Sequence, residues 1–137
     1  MTQVLIVDDD DDTRATLRYL LEDAGYGVLE APGVPEALSQ LQEEPERLVV
    51  LLDYLLPGLD GAALLEDNAA WQADGSRHTY LLLTASPQKI SPALQERLLE
   101  LHVPVLPKPF DINDILQFVK QSAQLAPDRL DDGFPSL

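Results

Sequence analysis

Five times along this chain a short apolar run stops at a polar residue and gives way to a stretch with helical spacing, and that alternation limits the possible folds more than any other feature. Val4-Leu5-Ile6-Val7 is apolar and β-branched and ends at Asp8-Asp9, the pattern of a strand buried on both faces. Leu17, Leu20, Leu21 and Ala24 then recur at i, i+3, i+4 and i+7, one face of a helix that Gly25 ends. Gly27 to Glu30 is a weaker strand, and Val34, Ala37, Leu38 and Leu41 repeat the helical spacing. Leu48 to Leu52 is the strongest strand signal and stops at Asp53. After a turn at Pro57-Gly58, a helix is expected over Gly61 to Trp71, with Leu64, Leu65 and Ala69 inward and Asp74-Gly75 breaking it. Tyr80 to Leu83 is a fourth strand, ending at Thr84. Ser91-Pro92 opens a fourth helix along Leu94, Leu98 and Leu101. Pro104 to Leu106 is a short fifth strand before Pro107-Lys108-Pro109. Asp111 caps a last helix whose apolar stripe is Ile112, Ile115, Leu116 and Val119.

Strands that alternate with helices in this way imply an α/β fold with a parallel sheet and helices on both faces. At 137 residues the chain suits one domain with a real core, expected over residues 1–124. Residues 125–137 lose periodicity and read as a flexible acidic tail. The chain has no cysteine, which excludes a disulfide scaffold, thiolate metal ligands and a cysteine nucleophile. Lys and Arg total 9 against 24 Asp and Glu, a net charge of −15 that repels nucleic acid and anionic membranes and attracts divalent cations or basic partners. No apolar run nears the ~20 residues that span a bilayer, and no charged n-region leads an apolar signal segment. A soluble cytoplasmic protein is expected.

In open α/β sheets, ligands bind at the carboxyl ends of the strands, near the point where strand order reverses. Strand one ends there in Asp8-Asp9, strand three in Asp53 and strand four in Thr84, and strand five leads into Lys108. Two carboxylates ~4 Å apart repel by roughly 4 kcal/mol at an effective dielectric near 20, so three need a counter-charge. A hard dication with oxygen ligands answers that need, and Mg²⁺ is commonly held by one or two carboxylates plus waters and phosphate oxygens. Lys108 adds a mobile positive charge suited to an oxyanion, and Thr84 can donate to a phosphoryl oxygen. The set suits attack of a carboxylate on phosphorus to give an acyl phosphate. Helix capping explains part of the acidic run: Asp11 and Asp12 stand where a helix N-terminus favours negative charge. It explains Asp8 and Asp9 less well.

The segments VLIVDDDDDTRATLRYLLEDAGY, LVVLLDYLLPGLDG, YLLLTA and LPKPF, in that order, carry a resemblance over roughly residues 2–124. The chain resembles the receiver domains of two-component response regulators, and in particular the chemotaxis-regulator type. The resemblance implies a doubly wound, flavodoxin-like sheet in the order 2-1-3-4-5. It implies that Asp53 accepts the phosphoryl group and that Asp8 and Asp9 organise Mg²⁺, Asp9 more directly. The backbone carbonyl of Leu55 is then a further metal ligand, Thr84 the switch hydroxyl and Lys108 the lysine that meets the phosphoryl group, with a cis Lys108–Pro109 bond. The donor is expected to be a histidine kinase or histidine phosphotransfer protein. Output is expected through protein contacts, including a homodimer through the face of the fourth helix, fifth strand and fifth helix. Such a chain is a phosphorylation-dependent signalling switch, not an enzyme with turnover, and does not contact nucleic acid directly.

The chain departs from the family pattern at three places. Val105 stands where the family usually has an aromatic whose rotamer couples to the threonine. His102-Val103-Pro104 replaces the frequent Gly-Ala before strand five. No effector module is expected in the tail, which is too short for a helix-turn-helix. Leu55 and Ser86 flank the expected phosphoryl position, and Leu55 cannot orient a water, so a phosphoryl group that is not unusually short-lived is expected. Tyr54 and Trp71 read as packing residues, and His78 and His102 as surface or turn histidines. Two other functions stay open. A receiver-shaped scaffold independent of phosphorylation is motivated by Val105 and opposed by the intact acidic set. An aspartyl-phosphate hydrolase of the haloacid dehalogenase type ordinarily needs a second acid two residues after the nucleophile, where this chain has Leu55.

Overall fold

The computed structural model describes residues 2–44, 47–53, 78–85, 88, 90–101 and 103–123. The expected helix over Gly61 to Trp71 and the Pro57-Gly58 turn lie outside the described residues. So do Tyr54, Leu55, Ser86, His102 and the segment 125–137, as well as the side chains of Val34, Leu94 and Leu101.

The described chain runs β1 (Gln3–Val7), α1 (Asp11–Asp23), β2 (Gly27–Ala31), α2 (Val34–Glu43), β3 (Leu48–Asp53), β4 (Thr79–Thr84), α3 (Pro92–Leu101), β5 (Val105–Pro107) and α4 (Ile112–Ala123). The strands form one sheet in the order β2-β1-β3-β4-β5, and every pair is parallel. Strand order therefore reverses between β1 and β3, the place where an open sheet leaves a crevice.

The pleat explains why the central runs are apolar throughout. Successive side chains point to opposite faces, and both faces are covered. On one side Leu5, Val7, Val50, Leu52 and Leu82 pack with Ala37 and Leu41 of α2 and Leu98 of α3. On the other, Val4, Ile6, Val49, Leu51, Leu81 and Leu83 pack with Leu17 and Leu21 of α1 and Ile115 and Val119 of α4. All six residues of β3 are buried, Asp53 included.

Local chemistry sets the ends. Asp10 is the N-cap of α1, its carboxylate accepting from the Asp12 amide at 3.0 Å and the Thr13 hydroxyl at 2.8 Å. Gly25 ends that helix at φ +99°, a left-handed turn that residues with a Cβ resist. Ala24, expected on the inward stripe, is instead the exposed C-cap, because the helix has already turned out toward Gly25. Asp111 accepts from the Asn113 amide at 2.9 Å, capping α4 as expected. The ladder of β5 is one residue later than the apolar pattern suggests, since Pro104 contributes only its carbonyl, to Leu82 N.

His78 is not the surface or turn residue that the sequence suggests. His78 is buried just before β4, where its Nδ1 accepts the Leu48 amide at 2.9 Å and its Nε2 lies 3.3 Å from the Leu41 carbonyl. An Nδ1 that accepts carries no proton, so the neutral ring donates from Nε2 and joins the end of α2 to the start of β3.

Candidate functional site

The site is built on strand ends, so the sheet ladder fixes its backbone. Asp53 is the last residue of β3 and pairs with Leu83. The Asp8 amide continues the β1–β2 ladder by donating to Ala31 O at 3.1 Å. Because Val7 pairs with Leu52, Asp8 stands beside Asp53 on the neighbouring strand. Thr84 closes β4 and is fully buried, and its carbonyl accepts the Lys108 amide at 2.7 Å. That bond draws the residue after β5 to the same rim. Lys108–Pro109 is cis, as the resemblance implies.

The side chains converge accordingly. Carboxylate oxygens of Asp8, Asp9 and Asp53 all lie within 4.8 Å of one another, with Asp8 and Asp53 buried and Asp9 exposed. Lys108 Nζ sits 3.5 Å from Asp8 Oδ2 and 3.5 Å from Asp53 Oδ1. Five of the residues expected at the site are thus on one rim, with Asp8, Asp9, Asp53 and Lys108 in a single charged cluster and Thr84 joined to Lys108 through its backbone carbonyl. Leu55 lies outside the described residues.

One ammonium does not balance three carboxylates. Burial pushes the Asp8 carboxyl above its ordinary value of 3.8, the Asp53 charge pushes the same way, and the Asp10 amide and Lys108 pull against them. Asp8 Oδ1 accepts the Asp10 amide at 2.9 Å. Asp8 Oδ2 is buried and accepts no hydrogen bond, and its contact with Lys108 is an ion pair without hydrogen-bond geometry. A buried carboxylate oxygen left in this state is costly, and a cation beside it removes the cost. The donor set is all oxygen and all hard, so the pocket of Asp8, Asp9 and Asp53 fits a hard divalent cation such as Mg²⁺.

The support around this rim is not legible in the sequence. Arg14 of α1 donates from Nη1 to the Asp8 carbonyl at 2.6 Å, from Nε to Glu30 at 3.1 Å and from Nη2 to Asp11. Arg18 donates to the other Glu30 oxygen at 2.6 Å and to Glu22 at 3.2 Å. Hydrogen bonds from Arg18 and Arg14 hold Glu30 below the ordinary carboxylate range. The spacing of Arg14 and Arg18 by one helical turn marks them as neighbours, but only the fold shows that they face β2. Val105 is partly buried against the same core cluster as Leu82, so no aromatic ring occupies that place.

The chain is similar to known proteins in sequence and in fold. The family model of the response regulator receiver domain matches residues 4–120. The transcriptional regulatory protein CpxR homolog of Haemophilus influenzae is 32% identical over 123 residues, 88% of this chain and 49% of that protein. The sensor protein GacS of Pseudomonas syringae pv. syringae is 28% identical over 124 residues, 90% of this chain and 14% of that protein. Among solved structures, the chemotaxis protein CheY4 of Vibrio cholerae superposes with a TM-score of 0.72 at 27% identity, covering 88% of this chain and 98% of that one. The chain spans about half or less of the length of the curated relatives it matches. Among the described residues, no helix is long and apolar enough to cross a membrane. With the 2-1-3-4-5 parallel sheet and a family match over residues 4–120, the chain belongs to the response regulator receiver domains, the signalling-switch modules of two-component systems.

Proposed function

We propose that the chain accepts a phosphoryl group on Asp53 from a phosphohistidine of a histidine kinase or phosphotransfer protein, in a Mg²⁺-dependent step, and thereby switches its protein contacts. The observation that carries this reading is the placement of Lys108 Nζ at 3.5 Å from both Asp8 and Asp53, with Asp9 completing the acidic group. A purely structural rim gains nothing from gathering acids that repel.

Asp53 is the nucleophile. Its buried carboxylate is partly stripped of water and its backbone is held in the sheet, so little reorganisation precedes attack. An Asp53 oxygen bonds to phosphorus as the bond to the donor imidazole nitrogen breaks, and the electron pair leaves with that nitrogen. Asp8, Asp9, Asp53 and the carbonyl of Leu55 would hold Mg²⁺. When bound, the ion supplies charge neutralisation and a template for in-line transfer. Lys108 Nζ stands 3.5 Å from Asp53 Oδ1, and from there its positive charge meets the phosphoryl oxygens. The Thr84 hydroxyl, on the adjacent strand end, donates to one of those oxygens.

The product is a switched state rather than a released compound, and hydrolysis of the acyl phosphate returns the chain to its start. A sensor protein among the relatives supports a kinase partner. Output is proposed through the face of α3, β5 and α4, and a homodimer through that face is one form of it. With Val105 in place of an aromatic, switching runs through Thr84 and Lys108 without a ring rotamer.

Beryllofluoride with Mg²⁺, which stands in for the phosphoryl group, tests this in an amide-correlation NMR experiment. Resonances of Asp53, Thr84 and Lys108 are expected to shift in the wild type and not in Asp53→Asn. An unchanged spectrum of folded wild-type protein contradicts the reading.

A further inference from the structure

We infer that Arg14 is a positioning residue for the cation pocket: it pins the peptide plane between Asp8 and Asp9, so that one carboxylate is held inward and the next is presented at the rim. The inference rests on the Mg²⁺ reading above and adds a residue to it. The guanidinium reaches three acceptors in three directions. Nη1 donates to the Asp8 carbonyl at 2.6 Å, Nε to Glu30 of β2 at 3.1 Å, and Nη2 to Asp11 of α1. Its side chain is only 13% exposed, so the fork is held by its surroundings. The Asp8 carbonyl belongs to the peptide that joins Asp8 to Asp9. Fixing that plane sets ψ of Asp8, and with it the course of the backbone that carries Asp9 relative to Asp8. Asp8 then stands 2% exposed while Asp9 is exposed, yet their carboxylate oxygens still come within 4.8 Å.

Charge alone argues against placing a cation here, because a guanidinium beside a metal pocket repels the metal. The structure offsets that repulsion. Asp11 and Glu30 flank Arg14, and Arg18 shares Glu30 and is paired with Glu22. Two guanidiniums meet three carboxylates, so the patch carries no excess positive charge. What Arg14 adds is direction. A lysine cannot replace it, since one ammonium on a flexible stem does not span three separated acceptors.

The electrostatic and positioning views predict opposite signs, which makes the test sharp. Mg²⁺ affinity is measured by calorimetric titration on wild type, Arg14→Gln and Arg14→Lys, with far-UV circular dichroism and urea unfolding on each. Positioning predicts that Arg14→Gln weakens Mg²⁺ binding by about tenfold, the usual cost of losing a group that orients a ligand. It predicts a comparable loss in Arg14→Lys, although the charge is kept. Unchanged or tighter Mg²⁺ binding in folded Arg14→Gln, with only unfolding shifted, overturns the inference and leaves the Mg²⁺ reading standing. If Arg14→Gln does not fold, unchanged affinity in Arg14→Lys overturns it equally. Absence of Mg²⁺ binding by the wild type overturns the underlying reading itself.

Discussion

At Asp8 the fold holds an acid where burial and a neighbouring carboxylate both favour its neutral form. Its carboxyl is raised above 3.8 in the folded chain, so the folded state binds the proton more tightly than the unfolded one. In metal-free buffer this group therefore favours folding most below 3.8, and its contribution falls as pH rises through the raised value. Asp8→Asn removes that penalty. Metal-free Asp8→Asn is expected to melt above wild type at pH 7, with the gap closing toward pH 4; a lower Tm at pH 7 contradicts the electrostatic picture. His78 is the opposite case, a polar group fully used. His78→Ala leaves the buried Leu48 amide without its acceptor and is expected to cost about 1–3 kcal/mol in urea unfolding. These residues differ in how far sequence reveals them. Asp8, Asp9, Asp53, Thr84 and Lys108 are legible because the end of an apolar run is itself a position in space. His78 and Arg14 are not, because their roles depend on which distant carbonyl or amide they reach: His78 serves Leu48, thirty residues earlier, and Arg14 serves a strand on the far side of a turn.

Among the elements, the strands were the easiest to read, because burial on both faces leaves little choice but continuous apolar runs. β3, buried at every position, is the clearest case. The ends were harder. The apolar run at Pro104 to Leu106 overlaps β5 but is offset from it, since proline has no amide for the ladder. The apolar stripe of α1 runs one residue past the helix, because Ala24 is apolar and yet is the cap. Gly25 was legible as the stop, and its reason is conformational: at φ +99° an added Cβ meets nothing within 4 Å. Gly25→Ala is therefore expected to destabilise by about 1 kcal/mol through backbone strain alone, and Gly25→Asn by less, since asparagine tolerates this conformation. Equal stability of the glycine and alanine forms in chemical denaturation contradicts that cause. Arg47 supports the far end of α4, donating to the Ser122 carbonyl, and to Thr79 Oγ1 at 3.3 Å. Nothing in the local pattern around Arg47 signals that contact, because it joins segments far apart in sequence.

For the whole molecule, a net charge of −15 and an acidic rim are expected to make the folded state sensitive to divalent cations. Mg²⁺ that binds only the folded chain stabilises it by about 2.7 kcal/mol at a hundred times its Kd. Tm is expected to rise with Mg²⁺ in the wild type and to rise much less in Asp53→Asn, which lacks one of the three carboxylates; equal rises contradict the proposed ligand set. Switching asks for more than binding. Moving a two-state balance from 1:99 to 99:1 takes about 5.5 kcal/mol of differential stabilisation, and under the proposed function new charge at the rim is the source of it. The alternation of strands and helices and the acids at the strand ends already pointed to this architecture; the pairing of Arg14 with the Asp8 carbonyl required the folded chain. The central claim, that Asp53 accepts a phosphoryl group with the help of a divalent cation, is tested most directly by intact mass after incubation with acetyl phosphate, with and without Mg²⁺, on wild type and Asp53→Asn. The expected result is a gain of one phosphoryl group that requires both Mg²⁺ and Asp53. A gain of equal size in Asp53→Asn, or without Mg²⁺, contradicts it.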